Sequence, residues 1–286
     1  MNYETPKALR VALEKRLLAR SQGTGISLDR LRRRVLFERI LSRLQAAEPG
    51  MWVLKGGMAL EVRLRDEARL TKDLDLGLRA EVVDVVDLEE RLIEALSSDP
   101  AGDRFVLSVG SVRRMAHDDG GRSTWRAQVA ATLAGTMFGG LQIDVSARAD
   151  ELDSTDLMTL PNSMEFAGIE SPQVEVVDLQ RHVAEKFHGM LKVFEDRINT
   201  RVRDLIDLVL LAERGLIQPA LAAVAVRAVW EERGDRLPAA LPELSSTWDK
   251  RYAQLASDLD LDARTLPKAI VVVTTLWSDM FPMKES

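Results

Sequence analysis

The stretch Lys55-Gly56-Gly57-Met58-Ala59-Leu60, followed by Thr71-Lys72-Asp73-Leu74-Asp75-Leu76, holds residue types suited to phosphate chemistry. A glycine pair between a short apolar strand and a helix lets backbone come close to a phosphate. The first helical turn adds unpaired N–H groups and a favourable dipole. Side chains alternate along a strand, so Asp73 and Asp75 share one face while Leu74 and Leu76 turn to the other. Neighbouring carboxylates repel each other, and a cation between them relieves the repulsion. Magnesium suits the position because it takes carboxylate oxygens and keeps room for substrate phosphates. Manganese is the alternative ion. A further acid, Asp144, lies in Leu141-Gln142-Ile143-Asp144-Val145, where alternation again sets it opposite an apolar face. Beside the first strand it would complete a three-carboxylate site able to hold two metal ions, one activating a hydroxyl and one steadying pyrophosphate.

A lysine stands out further along. At helical spacing Leu179, Val183, Phe187, Met190 and Phe194 fall in a stripe about 80° wide, and Lys186 lies only about 20° beyond its edge. A lysine there either snorkels or meets an anion such as a triphosphate. Asp204 sits in a segment that is apolar nearly all round, Val202 to Leu211, so its acids need partners.

These residues need elements to position them. Helical period and capping residues predict helices over 5–20, with Thr5 as cap and Pro6 in the first turn, and from Ser27 to Pro49. Short strands follow at Trp52–Leu54 and Asp73–Leu78, with helices at Met58–Leu64 and Leu88–Leu96. Three more strands are expected at 105–109, 125–131 and 141–146, with a hairpin turn at Gly139-Gly140. Residues 150–177 read as a connector with one strand, Val174–Val177. Beyond it the pattern is helical at 179–195, 202–214, 218–231, 247–257 and 266–279. The fold class is therefore α+β. A helical segment, 1–48, packs on a mixed-sheet core, 49–165, and a helical domain, 166–286, follows.

Composition sets the outer limits. A chain of 286 residues with 46% hydrophobic and 29% charged residues has material for a sizeable core. It has no cysteine, which excludes disulfides and thiolate metal sites and fits a cytoplasmic location. No apolar run is long enough to span a bilayer, so no membrane partner is expected. The net charge of −6 means that any nucleic-acid contact must use a local patch. Arg30, Arg32, Arg33, Arg34, Arg39 and Arg43 on the second helix read as a solvated face or, with Lys55, as a basic path for RNA.

The glycine pair, the Asp-Leu-Asp strand and the later strand aspartate resemble the polymerase-beta-like nucleotidyltransferase superfamily. The string GGMALEVRLRDEARLTKDLDL, with Ala184-Glu185-Lys186-Phe187-His188 and Arg201-Val202-Arg203-Asp204-Leu205-Ile206-Asp207-Leu208, resembles the AbiEii/AbiGii-type toxins of type IV toxin–antitoxin systems, MenT-like toxins among them. The family's serine two residues before the first aspartate is Thr71 here, which keeps the hydroxyl. The resemblance implies a polymerase-beta-like core closed by helices. It also implies a magnesium-dependent enzyme that moves a nucleoside monophosphate from an NTP to RNA, most plausibly a tRNA 3′ end, and so blocks translation. A separately encoded antitoxin would restrain it. On this reading Asp73, Asp75 and Asp144 bind metal. Gly56, Gly57, Thr71, Lys186, Asp204 and, more weakly, Arg69 bind the nucleotide, and Asp73, Asp75, Thr71, Lys186 and Asp204 are the catalytic residues. The alternatives are an enzyme that nucleotidylates protein and an inactive nucleotide-binding module.

Overall fold

A computed structural model describes residues 3–115, 123–147, 152, 154–194 and 198–282. The chain divides into two compact units. The first comprises Met1–Arg65 with Leu70–Val177, and the second Asp66–Arg69 with Asp178–Ser286.

The first unit opens with α1 (Pro6–Thr24) and α2 (Leu28–Ala47). Thr5 and Ser27 cap them by accepting from the backbone N–H groups of Ala8 and Arg30. Next come β1 (Trp52–Leu54), α3 (Gly56–Leu64), β2 (Asp73–Leu78) and α4 (Val85–Ser97). Strands β3 (Phe105–Arg114), β4 (Thr124–Leu133), β5 (Thr136–Ala147), β6 (Thr155–Thr159) and β7 (Gln173–Val177) follow. Among the described residues they form one seven-stranded sheet in the order β3-β4-β5-β2-β1-β7-β6. Pairing is mixed: β2 runs parallel to β5 and antiparallel to β1, and β1 runs parallel to β7.

One face of the sheet is apolar. Leu74 pairs with Ile143 and Leu76 with Val145, while Ala127 and Trp125 of β4 lie opposite the same two β5 residues. All are buried in one cluster with Leu9, Leu13, Leu31, Val35 and Ile40 of the first two helices and Leu88 and Leu92 of α4. The intervening residues, Asp73, Asp75, Gln142, Asp144, Arg126 and Gln128, therefore share the other face.

Several expectations change. The β4–β5 turn falls at Ala134-Gly135, both with positive φ, rather than at Gly139-Gly140. Those glycines lie inside β5, and a side chain at Gly139 would come 3.1 Å from Leu36 of α2. Gly139 thins the strand for helix packing, while a side chain at Gly140 would meet the β4 backbone at Val129, 3.3 Å away. The connector also holds β6, paired with β7, and β7 is bonded to β1. The division consequently falls after Val177 instead of near residue 165.

The arginines of α2 form neither a solvated face nor a free basic path. Arg34 binds Glu61, and Arg32 binds Glu14 at 2.8 Å. Arg43 is buried and forks onto Asp103 at 2.9 and 2.8 Å, donating also to the carbonyls of Ser98 and Phe105. Arg39 is fully buried with an oxygen of Asp103 at 3.7 Å. Burial drives these groups into pairs, since an unpaired interior charge costs several kcal/mol.

The second unit contains α5 (Leu179–Leu191), α6 (Val202–Glu213), α7 (Pro219–Glu232), α8 (Asp249–Asp258) and α9 (Leu266–Met280). Helix α5 ends at Leu191, short of the expected 195, a residue outside those described. Val183, Phe187 and Met190 bury the predicted stripe, and Phe187 meets Trp277 of α9 with ring centroids 5.4 Å apart.

Candidate active site

Strand register builds the acidic face of the first unit. Asp73 lies opposite Gln142, and Asp75 opposite Asp144, on neighbouring parallel strands. Gln142 donates to Asp73 at 3.1 Å. Thr71 is buried, and its hydroxyl donates to the Asp73 carbonyl at 3.3 Å, bracing the entry to β2. The Lys55 N–H donates to the Asp75 carbonyl at 2.9 Å, which brings the start of α3 over the strand.

That approach explains the first glycine. Gly56 has a φ of +57°, and a Cβ there would lie 1.8 Å from Oδ2 of Asp75. Only glycine fits both the conformation and the space. Lys55, the helix N-cap, makes no side-chain capping bond, so its side chain leaves the first-turn N–H groups of Gly56 and Gly57 uncapped. Lys55 itself is buried, its stem close to where a Gly77 side chain would project. It is part of this face, not of a surface path.

Asp144 has a partner that the sequence did not announce. Arg126 of β4, its register partner, donates Nε to Oδ1 at 2.7 Å and Nη2 to Oδ2 at 2.6 Å. The Arg126 guanidinium is held protonated even more firmly than usual. The bond to Asp144 outweighs partial burial, and the charges of Asp144, Asp73 and Asp75 add to it. Among the described residues, no three acidic or histidine side chains converge as a metal-ligating group. The Asp144 carboxylate is turned to arginine instead.

The second unit gathers a different cluster. Lys186 is buried and donates to Asp207 Oδ2 at 2.6 Å and to Asp204 Oδ1 at 3.4 Å. Its third ammonium proton has no acceptor among the described residues. Asp207, fully buried, also receives a fork from Arg69 at 2.8 and 3.0 Å. Burial pushes the Asp207 carboxyl up, but the charges and bonds of Lys186 and Arg69 together hold it below its ordinary value. Asp204 is bonded in turn by Arg201 at 3.3 Å.

Sequence reasoning placed Lys186 at the edge of a buried stripe and Asp204 on a buried helix, but it did not single out Asp207 or Arg126. A signal existed for Asp207: it follows Asp204 by three residues on an apolar helix, and such an acid demands a cation. Arg126 carries no comparable local signal. Its importance lies in the β4–β5 register.

A family model described as nucleotidyl transferase AbiEii toxin, type IV toxin–antitoxin system, matches residues 39–274. No curated relative matches the chain. Among solved structures, the chain is similar to the nucleotidyltransferase toxin MenT4 of Mycobacterium tuberculosis H37Rv. The two share 19% identity over 95% of this chain and 90% of that one, with a TM-score of 0.59. It also aligns with JHP933 of Helicobacter pylori at 18% identity, over 89% of this chain and 93% of that one, with a TM-score of 0.46. The likeness to MenT4 supports the nucleotidyltransferase fold, and the family match covers most of the chain. This chain belongs to the AbiEii family of nucleotidyltransferase toxins of type IV toxin–antitoxin systems.

Proposed function

We propose that this protein transfers a nucleoside monophosphate from an NTP to RNA, at the 3′ end of tRNA, and so stops translation in the cytoplasm, with a separately encoded antitoxin restraining it. The observation that carries the reading is the seating of Gly56 against Asp75, with Asp73 on the same face. A backbone that approaches a carboxylate this closely brings the first-turn N–H groups of α3 next to the acidic face, where a triphosphate and its metal would meet both. Two hard oxygen donors next to uncapped N–H groups fit magnesium, or manganese in its place, which keeps coordination sites for phosphate. When bound, the ion would neutralise charge on the triphosphate during transfer. Asp73 and Asp75 are the proposed ligands.

The protein's own groups do the rest. The N–H groups of Gly56 and Gly57 receive phosphate oxygens, and Thr71 fixes the strand entry. Lys186 offers its remaining proton to the nucleotide, and Asp204 orients the ammonium. Arg69, whose guanidinium is forked onto Asp207, is assigned to holding that acid rather than to the phosphates. The acceptor hydroxyl attacks the α-phosphorus in line as pyrophosphate leaves, driven by positioning and charge neutralisation. No helix among the described residues is long and apolar enough to cross a membrane.

The test is purified protein with labelled NTPs, magnesium and total RNA, resolved on a gel that separates RNA from protein. Label in tRNA, lost in Asp73→Asn, supports the proposal. Label in protein makes it a protein nucleotidylating enzyme. With no label anywhere, only the nucleotide-binding reading survives.

A further inference from the structure

The lysine assigned to the nucleotide is itself held by a buried acid. Lys186 lies on α5, and both of its carboxylate partners, Asp204 and Asp207, lie on α6. Asp207 is the nearer, at 2.6 Å against 3.4 Å. It is also the deeper: its side chain has no solvent exposure, whereas Asp204 keeps 14%. Asp204 is bonded in turn by Arg201, whose side chain is 45% exposed. The two acids are therefore the inner and outer holders of one ammonium.

The inner holder is itself clamped. A carboxylate on its own turns easily about its last side-chain bond, and an ammonium bonded to it follows. Arg69 stops that rotation at Asp207 by donating Nε to Oδ1 and Nη2 to Oδ2. A planar guanidinium fork matches the plane of a carboxylate and fixes it. Oδ2 then accepts Lys186 from a set direction while it also accepts Nη2. Arg69 comes from Asp66–Arg69, a short stretch that belongs to the second unit although the chain on both sides of it belongs to the first. A lysine ammonium on a flexible stem is thus placed in advance, which spares the ordering that catalysis otherwise requires.

We propose that Asp207 is a positioning residue: clamped by Arg69, it sets where the Lys186 ammonium meets the nucleotide, and it acts on transfer only through that lysine. This rests on the role of Lys186 given under Proposed function and deepens it.

The experiment is a double-mutant cycle on the full chain, with transfer of label from NTP to total RNA followed at varied NTP concentration. The variants are Asp207→Asn, Lys186→Met and the two together. Asn keeps the shape but has one acceptor oxygen, so it cannot serve both the fork and the ammonium. Asp207→Asn should lower kcat/KM about ten- to a hundredfold, the scale of a misplaced group, with a rise in KM for NTP. In the Lys186→Met background the same exchange should cost no more than about twofold further, because its target is gone. Arg69→Lys keeps a cation on Asp207 but loses the fork. It should give a smaller loss than Asp207→Asn, again absent in the Met background. Thermal melting checks folding, and if Asp207→Asn does not fold, the Arg69→Lys cycle decides. Losses that multiply in a double variant, wild-type kcat/KM in a folded Asp207→Asn, or a lower kcat with unchanged KM, the mark of lost folded enzyme, overturns the assignment. Wild type that labels no RNA, or Lys186→Met that transfers at the wild-type rate, overturns the role of Lys186 itself, and the assignment falls with it.

Discussion

Replacing Lys186 with Met separates the two roles that its position gives it. Met is unbranched and of similar length, so the stem stays packed while the charge goes. The structure fixes what is lost first: a 2.6 Å bond to Asp207, an acid with no solvent exposure. Breaking a buried pair by removing one partner costs about 3–5 kcal/mol when the other is stranded. Asp207 is not stranded, because Arg69 still holds both of its oxygens. The expected loss is therefore nearer the value of one charged hydrogen bond, about 1.5–3 kcal/mol. Equilibrium urea unfolding measures it. The pH dependence gives a second check. The Asp207 carboxyl lies below its ordinary value, so its contribution is present above the unfolded carboxyl's pKa and is lost as pH falls through the folded one. Without Lys186 the folded value rises, so that contribution shrinks and acid unfolding starts at higher pH. If the remaining ammonium proton also meets the nucleotide, kcat/KM should fall about ten- to a few-hundredfold, from the same 1.5–3 kcal/mol at about 1.4 kcal/mol per tenfold. Lys186→Arg should recover stability better than transfer, since a fork does not place charge where an ammonium does. A Met variant as stable as wild type would refute the buried pair. One that is destabilised but transfers at the wild-type rate would make Lys186 purely structural.

Gly56→Ala should cost about 1–2 kcal/mol of backbone strain, and its Cβ would have to displace Asp75, 1.8 Å away. Displacement on the scale of 1 Å can cost about a hundredfold in rate, so wild-type transfer kinetics in a folded Ala variant would contradict the geometry. Glu38 is fully buried, and desolvation pushes its carboxyl up from 4.5 to about 7 despite Arg39 and the Ser163 bonds. An acid raised in the fold favours its neutral form, so stability is fully present below about pH 4.5 and declines as pH rises through about 7. At about 1.4 kcal/mol per pH unit the decline sums to about 3 kcal/mol. Glu38→Gln should remove that slope in urea unfolding at pH 5 and pH 8, and an unchanged slope would sink the assignment. Arg43→Met removes two charged bonds to buried Asp103, which keeps the Phe105 N–H at 2.9 Å and Arg39 at 3.7 Å. The loss should be that of the two bonds, about 1.5–3 kcal/mol each, rather than that of a stranded acid. A melting temperature equal to that of wild type would show that Asp103 is satisfied without it.

What the sequence determined by itself was local. Period-two alternation set Asp73 and Asp75 on one face of their strand, and Thr5 and Ser27 marked helix starts, because these signals reside within a few neighbouring residues. The order of motifs indicated the family for a similar reason, since spacing along a chain is itself sequence. The partners of buried charge were decided elsewhere. The α2 arginines share the spacing of a solvated face, and only the docking of Glu61 and Asp103 against them shows that they are interior pairs. Gly139 looked like a turn because a glycine pair needs a reason, and the reason was Leu36, far away in sequence. Arg69 meets Asp207 across 138 positions, and Arg126 meets Asp144 only because β4 and β5 align in one register. A sequence encodes which residues have charges to satisfy. Which charges meet is a matter of three-dimensional proximity, because the Coulomb and hydrogen-bond terms act over a few ångströms of space whatever the separation along the chain.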